Sequence, residues 1–329
     1  MIRFALIVAS TLGFLLTAAM GNLMVPLLRS LQNRNRPAQT QQAPEPDRPE
    51  NADPELERPA QPPTMGGLCL MVGVLAAVGV GWTAACVAEP QLLGAEGLLS
   101  TRLLIARRRS PLGLRRGTRL LLEAGAGAVV LVLLGANGCL AGGMALPGAG
   151  YVGLGVLAPL LWEAELVALA ESVRITDEMD GLCCGTAFAA MLGLMLCMTV
   201  LGWFPLAVLP AALAGALMAF LLWNFPPAKL RLGSVGSLFL AGALGCIPLC
   251  IGWPDLALPL GLPYWLEGGM VFLQIVIYKL SHGRKQLFRT APLHRWMEVR
   301  GSGSVQIFYA FCAAALLGAA LALQWAKIS

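Results

Sequence analysis

The chain has 329 residues, of which 57% are hydrophobic and 12% charged, with a mean hydropathy of +0.71. A soluble domain carries about 25% charged residues, and half that density cannot cover a water-facing surface of this size. The composition therefore excludes a cytosolic enzyme, a secreted disulfide scaffold and a disordered regulator. Apolar runs of about twenty residues, separated by short charged stretches, predict an all-α, polytopic integral membrane protein.

Ten spans are predicted, at 4–28, 65–88, 91–106, 119–136, 151–170, 182–202, 204–223, 235–252, 264–281 and 304–326. The first lacks a small-residue cleavage pattern and runs on to Pro26, so it reads as a span and not as a signal peptide. The third is short and carries Glu96 and Arg102.

The placement of Lys and Arg supports this count. Loops after the odd-numbered spans hold Arg29, Arg34, Arg36, Arg48 and Arg58, then Arg107, Arg108, Arg109, Arg115 and Arg116. Further on they hold Arg174, Lys229, Arg231, Arg284, Lys285, Arg289, Arg295 and Arg300. The opposite loops, near 89–90, 137–150, 203 and 253–263, hold none, and only Arg3 and Lys327 fall on that side. By the positive-inside rule the basic side is cytoplasmic, both termini lie outside, and the working cleft faces the cytoplasm.

The segment 33–63 is rich in Pro, Gln, Glu and Arg and has almost nothing apolar to bury, so it reads as a flexible cytoplasmic loop within one domain spanning 1–329. The nine Cys form no CxxC pair and lie mostly inside apolar runs, as small apolar helix residues do. No segment reads as a nucleic-acid site.

Four polar stretches mark the basic side. Pro62–Gly67, PPTMGG, fixes a helix entry and allows close backbone approach. In Arg174–Gly185, RITDEMDGLCCG, Asp177 and Asp180 would share one face of a helix, with Thr176 as its cap. Asn224–Leu238, NFPPAKLRLGSVGSL, opens a span with Gly and Ser, whose free N–H groups suit an anion. Ala291–Gly301 carries His294, one of only two His, beside Arg295, Trp296 and Glu298.

In this order the stretches resemble phospho-N-acetylmuramoyl-pentapeptide transferases (MraY-type), within the polyprenyl-phosphate N-acetylhexosamine-1-phosphate transferase superfamily. PTMGG matches outright; TDEMDGL at Thr176–Leu182 resembles TDGLDGL. NFPPAK followed by GSVGSL resembles N-x-x-PAK and GDTGSL, and FRTAPLH at Phe288–His294 resembles FRMAPLHHH. LQIVIYKL at Leu273–Leu280 resembles a span ending in Q-x(4)-K-L. The resemblance implies a bacterial inner-membrane, Mg²⁺-dependent enzyme of peptidoglycan biosynthesis. Such an enzyme moves phospho-MurNAc-pentapeptide from UDP to undecaprenyl phosphate and works as a dimer. It also implies catalytic roles for Asp177 and His294, and nucleotide-binding roles for Asp180, Asn224 and Gln274.

The departures fall on the chemistry. Thr101 and Arg102 stand where the family has its Asp-Asp pair, and Ser234 replaces the metal-binding Asp of GDTGSL. Arg174 replaces an Asn, Arg231 the Phe that stacks on uracil, and Arg295 and Trp296 the second and third His. Mg²⁺ needs oxygen ligands, usually including one or two carboxylates. The expectation is therefore a catalytically degenerate paralogue that does not hold Mg²⁺, with Arg102 and Arg174 supplying positive charge to Asp177 and Asp180. It would bind a UDP-sugar nucleotide or polyprenyl phosphate, or pair with an active transferase. The alternative is an active transferase with a relocated metal site. A transporter or channel would instead show ionisable residues mid-span or broken helices.

Overall fold

A computed structural model describes residues 2–34, 66–88, 116–146, 150–282 and 286–328. The predicted third span, with Thr101 and Arg102, lies outside them, as does the 33–63 loop apart from Asn33 and Arg34, which belong to the first helix.

The helices are α1 (Ile2–Arg34), α2 (Gly66–Ala88), α3 (Arg116–Ala136), α4 (Ala158–Thr176), α5 (Leu182–Val200) and α6 (Val208–Asn224). They continue as α7 (Gly233–Cys250), α8 (Ala257–Leu260), α9 (Leu262–Leu280), α10 (Leu293–Val299) and α11 (Ser304–Ile328). Every described predicted span overlaps one of them. Five helices, α1, α3, α5, α7 and α11, are long and apolar enough to cross a membrane. A sixth crossing arises if Pro254–Leu260 and α9, bent by 82° at their junction, count as one. The α4 helix carries Glu163, Glu165, Glu171 and Arg174, which breaks its apolar run.

Two boundaries differ from expectation. The predicted fifth span begins at 151, but Gly150–Gly153 is a strand, β2, paired antiparallel with β1 (Gly143–Leu146). Small and β-branched residues flanking the turn favour a hairpin there, and Pro159 then sets the first turn of α4. The acidic stretch is not helical either, as described below.

At the centre, α5 has 67% of its apolar window buried, against 17% for α3. It packs on α6 and α11, while α1 lies against α2 and α6. Leu121, Leu122, Val129 and Val132 of α3 point outward, a surface suited to hydrocarbon.

The two ends of the bundle differ. One end carries the hairpin, tied down by Trp162 Nε1 donating to Ala141 O (2.9 Å) and Trp325 Nε1 donating to Ala145 O (2.7 Å). The other gathers the end of α4, the start of α5, the α6–α7 loop and the start of α2. There Gly66 N–H and Gly67 N–H donate to Arg231 O and Leu232 O, both at 2.9 Å. A Cβ on Gly67 would meet Gly236 Cα at 2.7 Å, so the paired glycines let α2 and α7 touch backbone to backbone, as the PPTMGG reading expected.

Candidate functional site

The acidic stretch is a tight turn between α4 and α5. Asp177 closes α4, and Gly181 adopts φ +76°, which reverses the chain into α5. Asp177 and Asp180 therefore do not share a helical face. Thr176 does not cap; its hydroxyl donates back to Ser172 O at 2.9 Å within α4. Met179 points inward with Leu182, Ile307 and Phe311, and Leu293 and Met297 of α10 pack against this cluster. The turn is thereby seated against α10 and α11, with Asp180 facing the α6–α7 loop and Glu178 facing α10.

Arg231 of that loop is the central cation. Its Nε lies 3.6 Å from Asp180 Oδ1, and its Nη2 donates to Asp177 O at 3.5 Å and to Glu178 O at closer range. Asp180 Oδ2 also accepts the Ala228 N–H at 3.2 Å. Arg295 of α10 meets Glu178 Oε2 at 2.6 Å. The backbone N–H of Gly233, in the first turn of α7, lowers the Asp177 carboxyl pKa from nearby. The Gly/Ser helix start was expected to suit an anion, and the Asp177 carboxyl lies near it. Burial pushes the Asp177 carboxyl up to about 7, against the pull of Arg231 and the Gly233 N–H, with the Asp180 charge adding to the rise.

Of the two cations expected at the turn, Arg174 is directed elsewhere. Arg174 bonds Glu171 Oε2 at 2.7 Å, one helical turn back on its own helix, and Arg119 of α3 bonds Glu171 Oε1 at 2.7 Å. Because α4 stays helical through Thr176, Arg174 and Glu171 share a face directed at α3. Arg102 lies outside the described residues. Ser234 is exposed in the first turn of α7, and Trp296 stacks under Arg300, whose Cζ is 3.7 Å from the ring centroid.

Asn224 and Gln274 hold backbone. Asn224, 3% exposed, donates from Nδ2 to Leu230 O at 2.9 Å and so closes the α6–α7 loop that carries Arg231. Gln274 Oε1 accepts the Phe288 N–H at 2.8 Å, anchoring the loop that leads to α10. Asn224→Ala should loosen the first loop at a cost of about 1–2 kcal/mol, because it strands a buried carbonyl; thermal unfolding in detergent measures this. Arg231→Ala should cost more stability than Arg295→Ala. The Arg295–Glu178 pair is solvent-exposed and contributes less than about 1 kcal/mol.

His294 is 2% exposed, and its partner is Glu267 of α9, a residue the sequence reading did not single out. Glu267 is fully buried. Its Oε2 accepts Leu293 N–H at 3.1 Å, and its Oε1 accepts His294 N–H at 3.0 Å and faces His294 Nδ1 at 3.2 Å. The signal available in the sequence was a lone carboxylate inside an apolar span.

These residues do not make a Mg²⁺ donor set. A guanidinium engages Asp180, Ser234 brings no carboxylate, and no three His, Cys, Asp or Glu side chains stand as a metal-holding group among the described residues.

Residues 111–252 match the family described as Glycosyl transferase family 4. The phospho-N-acetylmuramoyl-pentapeptide-transferase of Acaryochloris marina is 32% identical over 326 residues, covering 94% of this chain and 84% of that protein. The protein of the same name from Desulforudis audaxviator is 30% identical over 346 residues, covering 98% of each chain. That from Lactiplantibacillus plantarum is 28% identical over 280 residues, covering 81% of this chain and 85% of that one. With its apolar helices, its polar turn at one end of the bundle and this full-length similarity, the chain is a multi-pass membrane protein that belongs to the phospho-N-acetylmuramoyl-pentapeptide-transferase family.

Proposed function

We propose that this protein is a catalytically degenerate member of its family, which binds the nucleotide portion of a UDP-sugar or a polyprenyl phosphate without transferring phospho-MurNAc-pentapeptide. The observation that carries this reading is the guanidinium of Arg231, with its Nε on Asp180 and its Nη2 on the Asp177 and Glu178 carbonyls. Positive groups of the chain itself stand at the carboxylates that a metal would need. A buried or half-buried acid is costly without a counter-charge, and an internal cation supplies one without an ion. Since Mg²⁺ in this family neutralises diphosphate charge during transfer, a site whose Asp180 carboxylate is held by an internal guanidinium supports binding without turnover.

The same reading has ten crossings, both termini outside and the acidic turn on the cytoplasmic side of the bacterial inner membrane. The one-sided Lys and Arg placement supports this orientation. It keeps 1–329 as one domain with 33–63 as a loop, and leaves room for a homodimer or a heterodimer with an active transferase. One observation favours active transfer instead: Asp177 makes no ion pair among the described residues, so its carboxylate remains available to a metal held elsewhere. A transporter reading gains little from Glu267, although it lies mid-helix, because both its oxygens are committed to the start of α10.

The test is turnover. Purified protein with UDP-MurNAc-pentapeptide, polyprenyl phosphate and Mg²⁺ is expected to release no UMP, while UMP itself binds. UMP release that disappears in Asp177→Ala would overturn the reading.

A further inference from the structure

The α10 helix begins after Pro292 and has no side-chain cap of its own. Its first N–H groups would be left unsatisfied in a buried setting. Glu267 of α9 reaches across and accepts two of them, from Leu293 and His294. Those two contacts pin the plane of the carboxylate, so the edge of Oε1 that meets the His294 ring is fixed by backbone and not by a free rotamer. Nδ1 lies 3.2 Å from it. Two backbone donors converge on this carboxyl and use it as an acceptor, and a carboxylate in that role asks the ring nitrogen facing it to bring a hydrogen. The imidazole is itself 2% exposed, so it has little room to turn over.

We infer that Glu267 is a positioning residue: it holds His294 with a proton fixed on Nδ1, so that Nε2 is the only ring nitrogen whose protonation or contacts can vary. The neighbouring Arg295, on the same short helix, reaches Glu178 at 2.6 Å, so the same anchor sets α10 against the acidic turn. A purely structural carboxylate would cap α10 equally well with either nitrogen of the ring turned towards it. The fixed Nδ1–H is what distinguishes the positioning role.

The chain has two His, which makes the measurement simple. Protein labelled with ¹⁵N-histidine gives two imidazole spin systems, and His282→Asn identifies the His282 signals. His282 sits at φ +50°, a conformation Asn tolerates, and lies outside the residues of the site. The expected result is a slowly exchanging Nδ1–H on His294, lost or averaged with Nε2–H in Glu267→Ala, which removes both acceptor oxygens. A wild-type spectrum with the proton on Nε2, or exchanging between both nitrogens, would overturn the inference. So would an unchanged Nδ1–H signal in Glu267→Ala. Should that variant fail to fold, the wild-type spectrum decides alone. No nucleotide is needed, so failure here is separate from failure of the proposed binding function.

Discussion

Glu267→Ala is expected to cost about 3–5 kcal/mol of folding stability, the scale seen when one partner of a buried charged contact is removed. Its carboxylate is fully buried and accepts from Leu293 N–H and His294 N–H, with His294 Nδ1 at 3.2 Å. Truncation leaves these donors in a dry pocket, where each stranded group costs about 1–3 kcal/mol unless water enters. Glu267→Gln keeps the shape and one acceptor oxygen, so its loss should be smaller. Thermal and denaturant unfolding in detergent would measure both. A loss below about 1 kcal/mol for the Ala variant would show that water already satisfies the start of α10.

The second large effect is the pH dependence of stability at Asp177. Its carboxyl is raised in the folded chain from 3.8 to about 7, chiefly by burial. Between those values the folded state holds a proton that the unfolded state has released. This group's contribution therefore favours folding most at low pH, weakens as pH rises from about 4 towards 7, and stays at its lowest above that. The slope is about 1.4 kcal/mol per pH unit at its steepest. Asp177→Asn removes the ionisation, so the variant should gain on the wild type by roughly 1–3 kcal/mol at pH 8 and not at pH 4. Unfolding the two proteins side by side across this range isolates the group from the other carboxylates. A variant that loses ground on the wild type as pH rises would mean that Arg231 and the Gly233 N–H outweigh burial.

The helices were legible because hydropathy reports length directly: each described apolar run overlaps one, and among the described residues five are long and apolar enough to cross a membrane. Close backbone approach at the PPTMGG entry was legible from its glycine pair, whereas its partner Gly236 was not, because the α7 start was read for an anion. What was not legible is where long side chains reach. Arg174 is adjacent in sequence to the acidic turn, yet its helix turns it to Glu171. Arg231 is 51 positions beyond Asp180 and reaches it only because the α6–α7 loop folds over the turn. The turn itself was misread as helix because Asp177 and Asp180 have helical spacing, whereas the positive φ of Gly181 decides the local path. Glu267 went unnoticed because its partners lie 26 and 27 residues away, across a loop.

Asn224 and Gln274 carry a related lesson. The family resemblance assigns them to the nucleotide, while the structure has each holding a loop backbone. Both statements are compatible, since an amide that fixes a loop with one atom can present another to a ligand. Arg231 differs, because its polar atoms are directed to the turn at its side.

The central claim is that a guanidinium of the chain, and not a divalent cation, engages the acidic turn. Equilibrium binding of Mn²⁺ as a stand-in for Mg²⁺, read by electron paramagnetic resonance on the purified full-length protein, tests it most directly. The account predicts no saturable site, in the wild type and in Asp177→Asn alike. One saturable Mn²⁺ per chain, lost in Asp177→Asn, would contradict it.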